Sequence, residues 1–219
     1  FNIANNHNFK HRYEEAVDLY QQALRNYEQV GDCSGDVATC LDAIASIHLA
    51  QSQYGAAMET IVKALAIYTV LSGEISGEVA TCVDQMAEIY YQQRQYGASL
   101  QRCQQALDIR RKLLQEGSPK MLRSLNIISN IHFAQGQYEE AMKLQELALP
   151  IRKNVYGEDS QEVATCLHNM ASIHSCCGKE EEAMALYEEV LRTCKLCGES
   201  NSAEAKALFN MAGSLHGQG

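Results

Sequence analysis

Apolar side chains recur at intervals of three and four residues through most of the chain, the pattern of helices that bury one face. Residues 164–177 carry Ala164, Leu167 and Ala171 in this spacing, and residues 180–197 repeat it after a short connection. A connection of two or three residues places its two helices side by side and antiparallel. The pattern therefore predicts helical hairpins, each made of a helix A followed by a helix B.

The hairpin pattern repeats every 41 or 42 residues. Small residues recur near the start of helix B at Ala16, Ala57, Ser99, Ala141 and Ala183, and on helix A at Ala45, Ala87, Ser129, Ala171 and Gly213. A larger side chain at these positions would collide with the facing helix, since overpacking costs about 1–3 kcal/mol. We predict an all-α repeat protein with no linker or second domain. Its units are a truncated one at 1–35, full ones at 36–77, 78–119, 120–161 and 162–203, and a lone helix A at 204–216.

Pro150 is the one residue that breaks the helical pattern. It lies inside the helix B of unit 120–161, where it cannot donate a hydrogen bond to the carbonyl of Glu146. We expect this helix to bend at Pro150 or to end early.

Charge and composition narrow the class of partner. The chain has 27 acidic and 18 basic residues, a net charge of −9, which opposes nucleic-acid phosphates and anionic membrane surfaces. No uninterrupted run approaches the roughly 18 apolar residues of a membrane span. We expect neither nucleic acid nor membrane as a partner. Because the sequence begins and ends partway through a unit, we also expect it to be an excerpt of a longer protein.

The nine cysteines follow the repeat and not a cross-linking scheme. Cys40, Cys82 and Cys166 occupy the same position of three units. Cysteine behaves as a small buried hydrophobe in reducing compartments, so we expect a cytosolic protein. Cys194 and Cys197 have zinc-type spacing, but a zinc site needs two further ligands.

The sequence contains no recognisable catalytic motif. Five histidines share one repeat position, which Tyr90 fills in the remaining unit: His7, His48, His132, His174 and His216. If these histidines bound a metal ion, Tyr at the same position would impair metal binding. We therefore expect these side chains to pack against helix B. Carboxylates cluster at the starts of B helices, where the helix dipole favours them. Glycine-rich phosphate loops and nucleophile motifs are absent, and we predict no enzyme, no cofactor and no metal.

Several repeated features resemble the tetratricopeptide repeat. Tyrosines stand at the turn into helix B (Tyr54, Tyr96, Tyr138), and alanines follow the small position by seven residues (Ala23, Ala64, Ala106, Ala148). The 42-residue period, with Glu-Val-Ala-Thr opening helix A at 78–81 and 162–165, is similar to the units of kinesin light chain and nephrocystin-3. The resemblance implies a right-handed superhelical solenoid of antiparallel helix pairs, with helix A lining a concave face that binds protein partners.

A second stripe of helix A, beside the core stripe, carries the candidate binding residues. It comprises Asn5, Asp42, Ser46, Asp84, Glu88, Tyr91, Asn126, Asn130, Phe133, His168, Asn169, Ser172 and Asn210, with Arg123 close by. Carboxamides can hold both the N–H and C=O groups of an extended peptide, and aromatic rings can anchor apolar side chains. We predict that this stripe forms a peptide-binding groove.

The charge of the stripe suggests what it binds. The family resemblance implies that Asn126, Asn169 and Asn210 hold acidic cargo peptides that carry an aromatic residue. Acidic side chains depart from that pattern in the first half of the chain, at Asp42, Asp84 and Glu88. We therefore expect a basic, neutral or apolar partner segment there.

Two other functions fit the sequence. The chain could be a self-associating structural array, with Phe1, Ile3 and Phe209 as contact residues between copies. It could also be the sensor or oligomerisation arm of a larger signalling ATPase whose catalytic part lies outside this sequence.

Overall fold

The computed structural model describes residues 2–29, 35–113, 118–197 and 202–217, which contain ten α-helices and no strand. This confirms the predicted all-α class. The helices are α1 (Asn2–Gln29), α2 (Gly35–Ala50), α3 (Tyr54–Ser72), α4 (Gly77–Gln92), α5 (Tyr96–Leu113), α6 (Leu122–Ala134), α7 (Tyr138–Tyr156), α8 (Gln161–Cys176), α9 (Glu180–Cys197) and α10 (Ser202–Gly217). A single 3₁₀ turn at Pro119–Met121 precedes α6.

Consecutive helices pack as hairpins: α2 with α3, α4 with α5, α6 with α7, and α8 with α9. Each full repeat unit predicted from the sequence thus holds one helix A and one helix B. The chain divides into two compact units, residues 1–114 and 115–219. In the first, α1 packs on α2 and α3 on α4; in the second, α7 packs on α8 and α10 on α9. The prediction of one continuous array stays a prediction.

Small residues lie where helix A crosses helix B. Ala57 and Ala45 are fully buried in the first hairpin, and the equivalent residues of the following three hairpins are at most 2% exposed. The two backbones approach closely at this crossing. Where serine replaces alanine, its hydroxyl group donates a hydrogen bond to a carbonyl oxygen of the facing helix. Ser99 donates to the carbonyl oxygen of Ala87 at 2.7 Å, and Ser129 donates to that of Ala141 at 3.0 Å.

A chain of hydrogen bonds continues from Ser129 through the core of the second compact unit. The Cys166 thiol donates to Oε1 of Gln145 at 3.2 Å, and Nε2 of Gln145 donates to Oγ of Ser129 at 2.9 Å. All three side chains are at most 2% exposed. Because each buried polar group has a partner, the chain links α8, α7 and α6 without a desolvation penalty for unpaired groups.

In two of the hairpins, a histidine near the end of helix A bonds across the turn. The backbone turns through a positive φ angle at Ser52, Arg94, Gly136 and Gly178. His48 Nδ1 lies 2.6 Å from Oε1 of Gln53, and His132 Nδ1 lies 2.5 Å from Oε1 of Gln137. Each glutamine directly precedes helix B, so the histidine joins the end of helix A to the start of helix B.

The first helix differs from the prediction. We expected residues 1–35 to hold the end of a helix A, a turn and a helix B, but α1 runs without interruption from Asn2 to Gln29. His11, the equivalent of the residues with positive φ angles in the four later turns, lies within this helix. Residues 2–10 therefore extend helix B.

Pro150 does not end its helix. α7 continues through Pro150 to Tyr156, so the expectation of an early end was wrong. Pro150 itself is exposed, whereas Ala148 before it and Arg152 after it are 2% and 8% exposed. Packing on both sides of the proline offsets the single hydrogen bond that it removes.

Helix α3 is the one helix of the described ranges that is long and apolar enough to cross a membrane by length and composition. Its buried face consists of Ala57, Ile61, Ala64 and Tyr68. These side chains belong to a core cluster with residues of α2 and α4, so one face of α3 packs against its neighbouring helices.

The crossing of α8 and α9 yields a stability prediction. Replacing the fully buried Ala183 by leucine should lower the free energy of unfolding by about 1–3 kcal/mol, because the larger side chain pushes α9 from α8. Ala185→Leu, on the exposed side of the same helix, is the matched control and should change stability by less than about 0.5 kcal/mol. Urea unfolding measures both, and equal losses would contradict the crossing as the cause.

Candidate functional site

A cavity of about 230 Å³ opens between the A helices α6 and α8 of the second compact unit. It is lined by Ser129, Asn130, Phe133, His168, Asn169, Ser172 and Ile173. Five of the predicted groove residues thus line one cavity. The A-helix stripe of this unit is concave here, and carboxamides face the cavity from both helices.

Phe133 supplies the apolar part of the cavity wall. Its ring centroid lies 5.6 Å from that of Tyr138, in an edge-to-face arrangement. Tyr138 begins α7, so the hairpin turn holds the Phe133 ring in place. Aromatic pairs in this geometry are stabilised beyond the area they bury, so Tyr138 holds the Phe133 ring in a fixed orientation at the cavity wall.

Tyr187 of helix α9 contacts three of the predicted residues, two through its hydroxyl group and one through its ring. Its oxygen lies 3.3 Å from Ser172 Oγ and accepts a hydrogen bond from Asn210 Nδ2 at 3.0 Å. The His168 ring centroid lies 5.7 Å from the Tyr187 ring. Tyr187 lies on helix B, so the predicted stripe on helix A did not include it. The signal for its role was the polar phenol at a position that Ile61 fills in an earlier unit.

His168 is the titratable group of the cavity. Burial is the main reason that its pKa is lowered, and the positive charge of Lys206 lowers the pKa further. Its Nδ1 atom is buried without a hydrogen-bond partner among the described residues. The imidazole therefore stays neutral to lower pH than an exposed histidine would.

Arg123 and Asn126 line a separate cavity of about 280 Å³ in the same compact unit. Its other lining residues are Leu122, Arg152, Tyr156, Glu162 and Thr165. Arg152, from helix α7, donates from Nη2 to Oδ1 of Asn126 at 3.4 Å. The sequence pattern identified Arg123 and Asn126 but missed Arg152, because Arg152 lies on helix B.

In the first compact unit, the predicted residues on one helix mainly contact side chains of a neighbouring helix. Nε2 of Gln85, a buried residue of α4, donates to Asp42 Oδ1 at 2.7 Å and to Ser46 Oγ at 3.1 Å on α2. Tyr91 packs against Tyr96, with 6.0 Å between ring centroids. Burial, followed by Tyr96 and Glu88, raises the pKa of Tyr91.

Asp84 does not belong to the exposed stripe. Its side chain is fully buried and forms an ion pair with Arg110 of α5, which is 5% exposed. Asp84 therefore cannot reach a partner, and its negative charge is already compensated. The arginine lies 26 residues further along on helix B, where a pattern confined to helix A could not detect it.

Glu88 and Asn5 complete the set of predicted site residues. Glu88 is half-buried and its Oε1 accepts a hydrogen bond from Gln92 at 2.8 Å. The backbone of Asn5 lies within α1, whose residues 2–10 form no separate helix A. The Asn5 side chain lies outside the described ones.

The described cysteines are free thiols. Burial raises the pKa of the Cys82 thiol to about 12, and burial likewise raises the pKa of Cys166. Cys176 and Cys177 are exposed at the end of α8. Within the part of the chain that the structure describes, no group of three or more His, Cys, Asp or Glu side chains could hold a metal ion.

The sequence matches the tetratricopeptide repeat family over residues 1–69, 79–154 and 120–196. These matches span more than half of the chain, and the helical hairpins with small crossing residues are those of this repeat. The chain therefore belongs to the tetratricopeptide repeat family, whose fold is typically a non-enzymatic interaction module. Among curated proteins, none matches the chain.

Solved structures share the fold at low sequence identity. BtubC (BKLC) from P. vanneervenii is 20% identical with a TM-score of 0.73, covering 90% of this chain and 79% of that one. The nearly identical TPR-like repeats of a Podosopora anserina kinesin light chain are 20% identical with a TM-score of 0.66, covering 90% and 94%. A Rap protein complexed with Competence and Sporulation Factor is 20% identical with a TM-score of 0.70, covering 86% of this chain and 51% of that protein.

The lowered pKa of His168 predicts how stability depends on pH. The unfolded chain binds a proton at His168 at higher pH than the folded chain does, so stability should fall as the pH decreases below about 6.5. In His168→Gln the loss of stability between pH 7 and pH 5 should be smaller than in the parent chain. Asn169→Gln, which removes no titratable group, is the control and should keep the parental slope. Urea unfolding at a series of pH values measures this, and an unchanged slope in His168→Gln would contradict it.

Proposed function

We propose that this chain is a cytosolic protein-interaction module that captures an extended segment of a partner protein on the A helices of residues 115–219, without catalysis. The observation that carries the proposal is the cavity of about 230 Å³ between α6 and α8, lined by five residues of the predicted stripe. The free thiols of the described cysteines fit a reducing compartment.

The chemistry of the cavity suits a peptide main chain with one apolar side chain. Asn130 on α6 and Asn169 on α8 each carry a donor and an acceptor, so together they can bond to both polar groups of an extended backbone. Phe133 offers its ring to the apolar side chain. Aromatic residues in desolvated pockets contribute most of the binding energy of many interfaces.

Two further observations support a protein segment as the ligand. The solved Rap structure, which shares this fold, is complexed with Competence and Sporulation Factor. In the first compact unit, Asp42 and Glu88 lie on the A helices and are partly accessible. They favour a basic or neutral segment there, whereas the buried Asp84 makes no contribution.

The groove is tested by removing its two carboxamides. In Asn130→Ala with Asn169→Ala, the affinity for a peptide selected on the parent chain should fall by about tenfold or more, because two backbone-binding groups are lost. Asn154→Ala with Gln161→Ala removes two exposed polar side chains away from the cavity and is the matched control. Isothermal titration calorimetry measures the affinity, and circular dichroism shows that helicity is retained. If the groove variant bound the peptide with the same affinity as the parent chain, the proposal would be contradicted.

Self-association is a second candidate function, favoured by apolar side chains exposed on α10. Leu208 is 52% and Phe209 is 80% exposed, and apolar groups left in water tend to be covered by a partner. Phe1 and Ile3, the other predicted contacts, lie outside the described side chains. A role as the arm of a signalling ATPase stays a prediction.

Light scattering across protein concentration separates self-association from a monomeric module. If copies associate through α10, the apparent mass should rise with concentration, and Leu208→Ser with Phe209→Ser should return it to the monomer mass of 24.3 kDa. The control Leu196→Ser removes an exposed leucine of α9 instead. A constant monomer mass in the parent chain would exclude this function.

A further inference from the structure

The exposed side of α3 differs from that of the other B helices in the full repeat units. Val62, Ala66 and Val70 follow one another at intervals of four residues and are exposed, Val62 by 49% and Val70 by 85%. We term these three residues the outer stripe of α3. The equivalent positions of the later units hold Gln104, Asp108 and Lys112 on α5, Glu146, Pro150 and Asn154 on α7, and Glu188, Arg192 and Leu196 on α9. The hairpin fold therefore does not require three apolar residues there, and their presence on α3 indicates a role outside the fold.

The outer stripe is part of a larger exposed apolar patch. Leu71 follows Val70 and is 51% exposed, and Ile75 in the next turn is 48% exposed. On its opposite face, α3 buries residues from Ala57 to Tyr68 in the core. A helix that is apolar on both faces is typical of a helix covered on all sides, and a contiguous exposed patch marks an interaction surface.

A cavity of about 740 Å³ lies beside the outer stripe, between α3 and α5 of the first compact unit. We term it the α3–α5 groove. Leu65, Ile75, Val79 and Ile109 form its apolar lining. Thr69 also lines it, but its hydroxyl group donates to the carbonyl oxygen of Leu65 at 2.7 Å. The α3 side of the groove therefore presents an apolar surface to an occupant.

Glutamine side chains form the α5 side of the groove. Gln101, Gln104 and Gln105 are exposed and lie within about one turn of α5. Nε2 of Gln104 donates to Asp108 at 2.8 Å, and Oε1 of Gln105 accepts a hydrogen bond from Arg102 at 2.9 Å. These bonds hold two of the amides along the helix. This side of the groove is therefore polar but uncharged.

The charged side chains of the groove nearly cancel one another. Glu74, Asp108 and Lys112 line it, and Arg111 donates to Asp108 at 3.3 Å. The whole chain has a net charge of −9, which opposes nucleic acid and anionic lipid surfaces. A nearly neutral, apolar groove on such a protein is complementary to an uncharged apolar occupant and not to a charged one.

Backbone hydrogen bonding determines the conformation that fits this groove. An extended segment would bury unpaired N–H and C=O groups against Leu65, Ile75 and Ile109, which is costly. A helix satisfies these groups within its own backbone and presents only side chains. Gln101 and Lys112 are eleven residues apart on α5, about 16 Å at 1.5 Å per residue. The groove thus accommodates about three turns of a helix.

We propose that the outer stripe of α3 and the α3–α5 groove bind an amphipathic helix of a partner protein. The apolar stripe of that helix packs on Val62, Val70 and Ile75, and its uncharged polar flank faces the glutamines of α5. This surface belongs to the B helices of the first compact unit, whereas the proposed peptide groove belongs to the A helices of the second. The inference therefore goes beyond the proposed function and does not depend on it.

Selection from a displayed library of helical peptides tests this surface. The peptides have about 16 residues, long enough to form a helix in water, and carry random residues along one helical stripe. Those selected on the full chain should bind Val62→Gln with Val70→Lys about tenfold or more weakly, because this variant takes the residues of α5 at the same positions. Leu147→Gln with Val155→Lys makes the same exchange at exposed residues of α7 and is the matched control.

Isothermal titration calorimetry measures these affinities, and circular dichroism shows that both variants keep the parental helicity. The selected peptides should share an apolar stripe, and the control should bind them with the parental affinity. Parental affinity in the α3 variant, or a library that yields no binder to the parent chain, would overturn the proposal.

Two further measurements examine the chemistry of the contact. A proline at the centre of a selected peptide should abolish binding, because it interrupts the helix. Raising sodium chloride from about 50 mM to about 500 mM should change the affinity less than about twofold, because screening weakens only charged contacts. Binding that tolerates the proline would overturn the helical occupant, and a steep dependence on salt would overturn the uncharged contact.

Sedimentation separates a partner helix from other occupants of the surface. The α3 variant should not alter the mass of the chain measured across concentration, and the chain should not sediment with phosphatidylcholine vesicles. A mass increase or vesicle binding that is lost in Val62→Gln with Val70→Lys would assign the surface to a second copy or to lipid and overturn the proposal. Asn130→Ala with Asn169→Ala should bind the selected helices with parental affinity, so failure of the peptide groove and failure of this surface are distinguishable.

Discussion

The close crossing of helix A and helix B is the constraint on which every hairpin depends. Ala171 and Ala183 are both fully buried where α8 meets α9, so the two backbones approach without an intervening side chain. Close approach leaves larger core residues to pack on either side of the crossing, which fixes the rotation of each helix. The rotation of the A helices in turn decides which stripe faces the neighbouring unit and which remains available to a partner.

The repeat provides an internal comparison in which one position serves different purposes. The helix-B position of Ile61 is filled by Gln145 and Tyr187 in later units, and these polar groups bond to Ser129 and Ser172. The apolar version only fills the core. The polar versions link helices and, in the case of Tyr187, organise the edge of the cavity. Each exchange is tolerated because the new polar group has hydrogen-bond partners within its own hairpin and on the following helix.

The sequence was sufficient to predict the helical hairpins, and five residues of the predicted stripe line one cavity of the second compact unit. The hydrophobic period, the small residues and the short connections predict helical hairpins, because they reflect interactions between segments that are close together in the chain. Distant contacts could not be predicted in the same way. Asp84 was predicted to be exposed, but it is buried against Arg110 on the other helix of the hairpin. The residue pattern of one helix does not show which side chains of the other helix face it.

Other differences arise where tertiary packing overrides a local signal. Pro150 has the chemistry of a helix breaker, yet burial of Ala148 and Arg152 keeps α7 continuous to Tyr156. The histidine position was expected to pack against helix B, and two of its side chains, His48 and His132, also lie within hydrogen-bond distance of the glutamines that precede helix B. In both cases the residue type was informative, but the outcome depended on partners that become neighbours only in the folded chain.

The central claim is that a partner segment lies against the A helices α6 and α8. Paramagnetic relaxation from a spin label on a selected peptide tests it most directly. The account predicts that the peptide broadens the resonances of Asn130, Phe133 and Asn169 while the exposed residues of α7 and α9 remain sharp. Broadening confined to α7 and α9, with α6 and α8 unaffected, would contradict it.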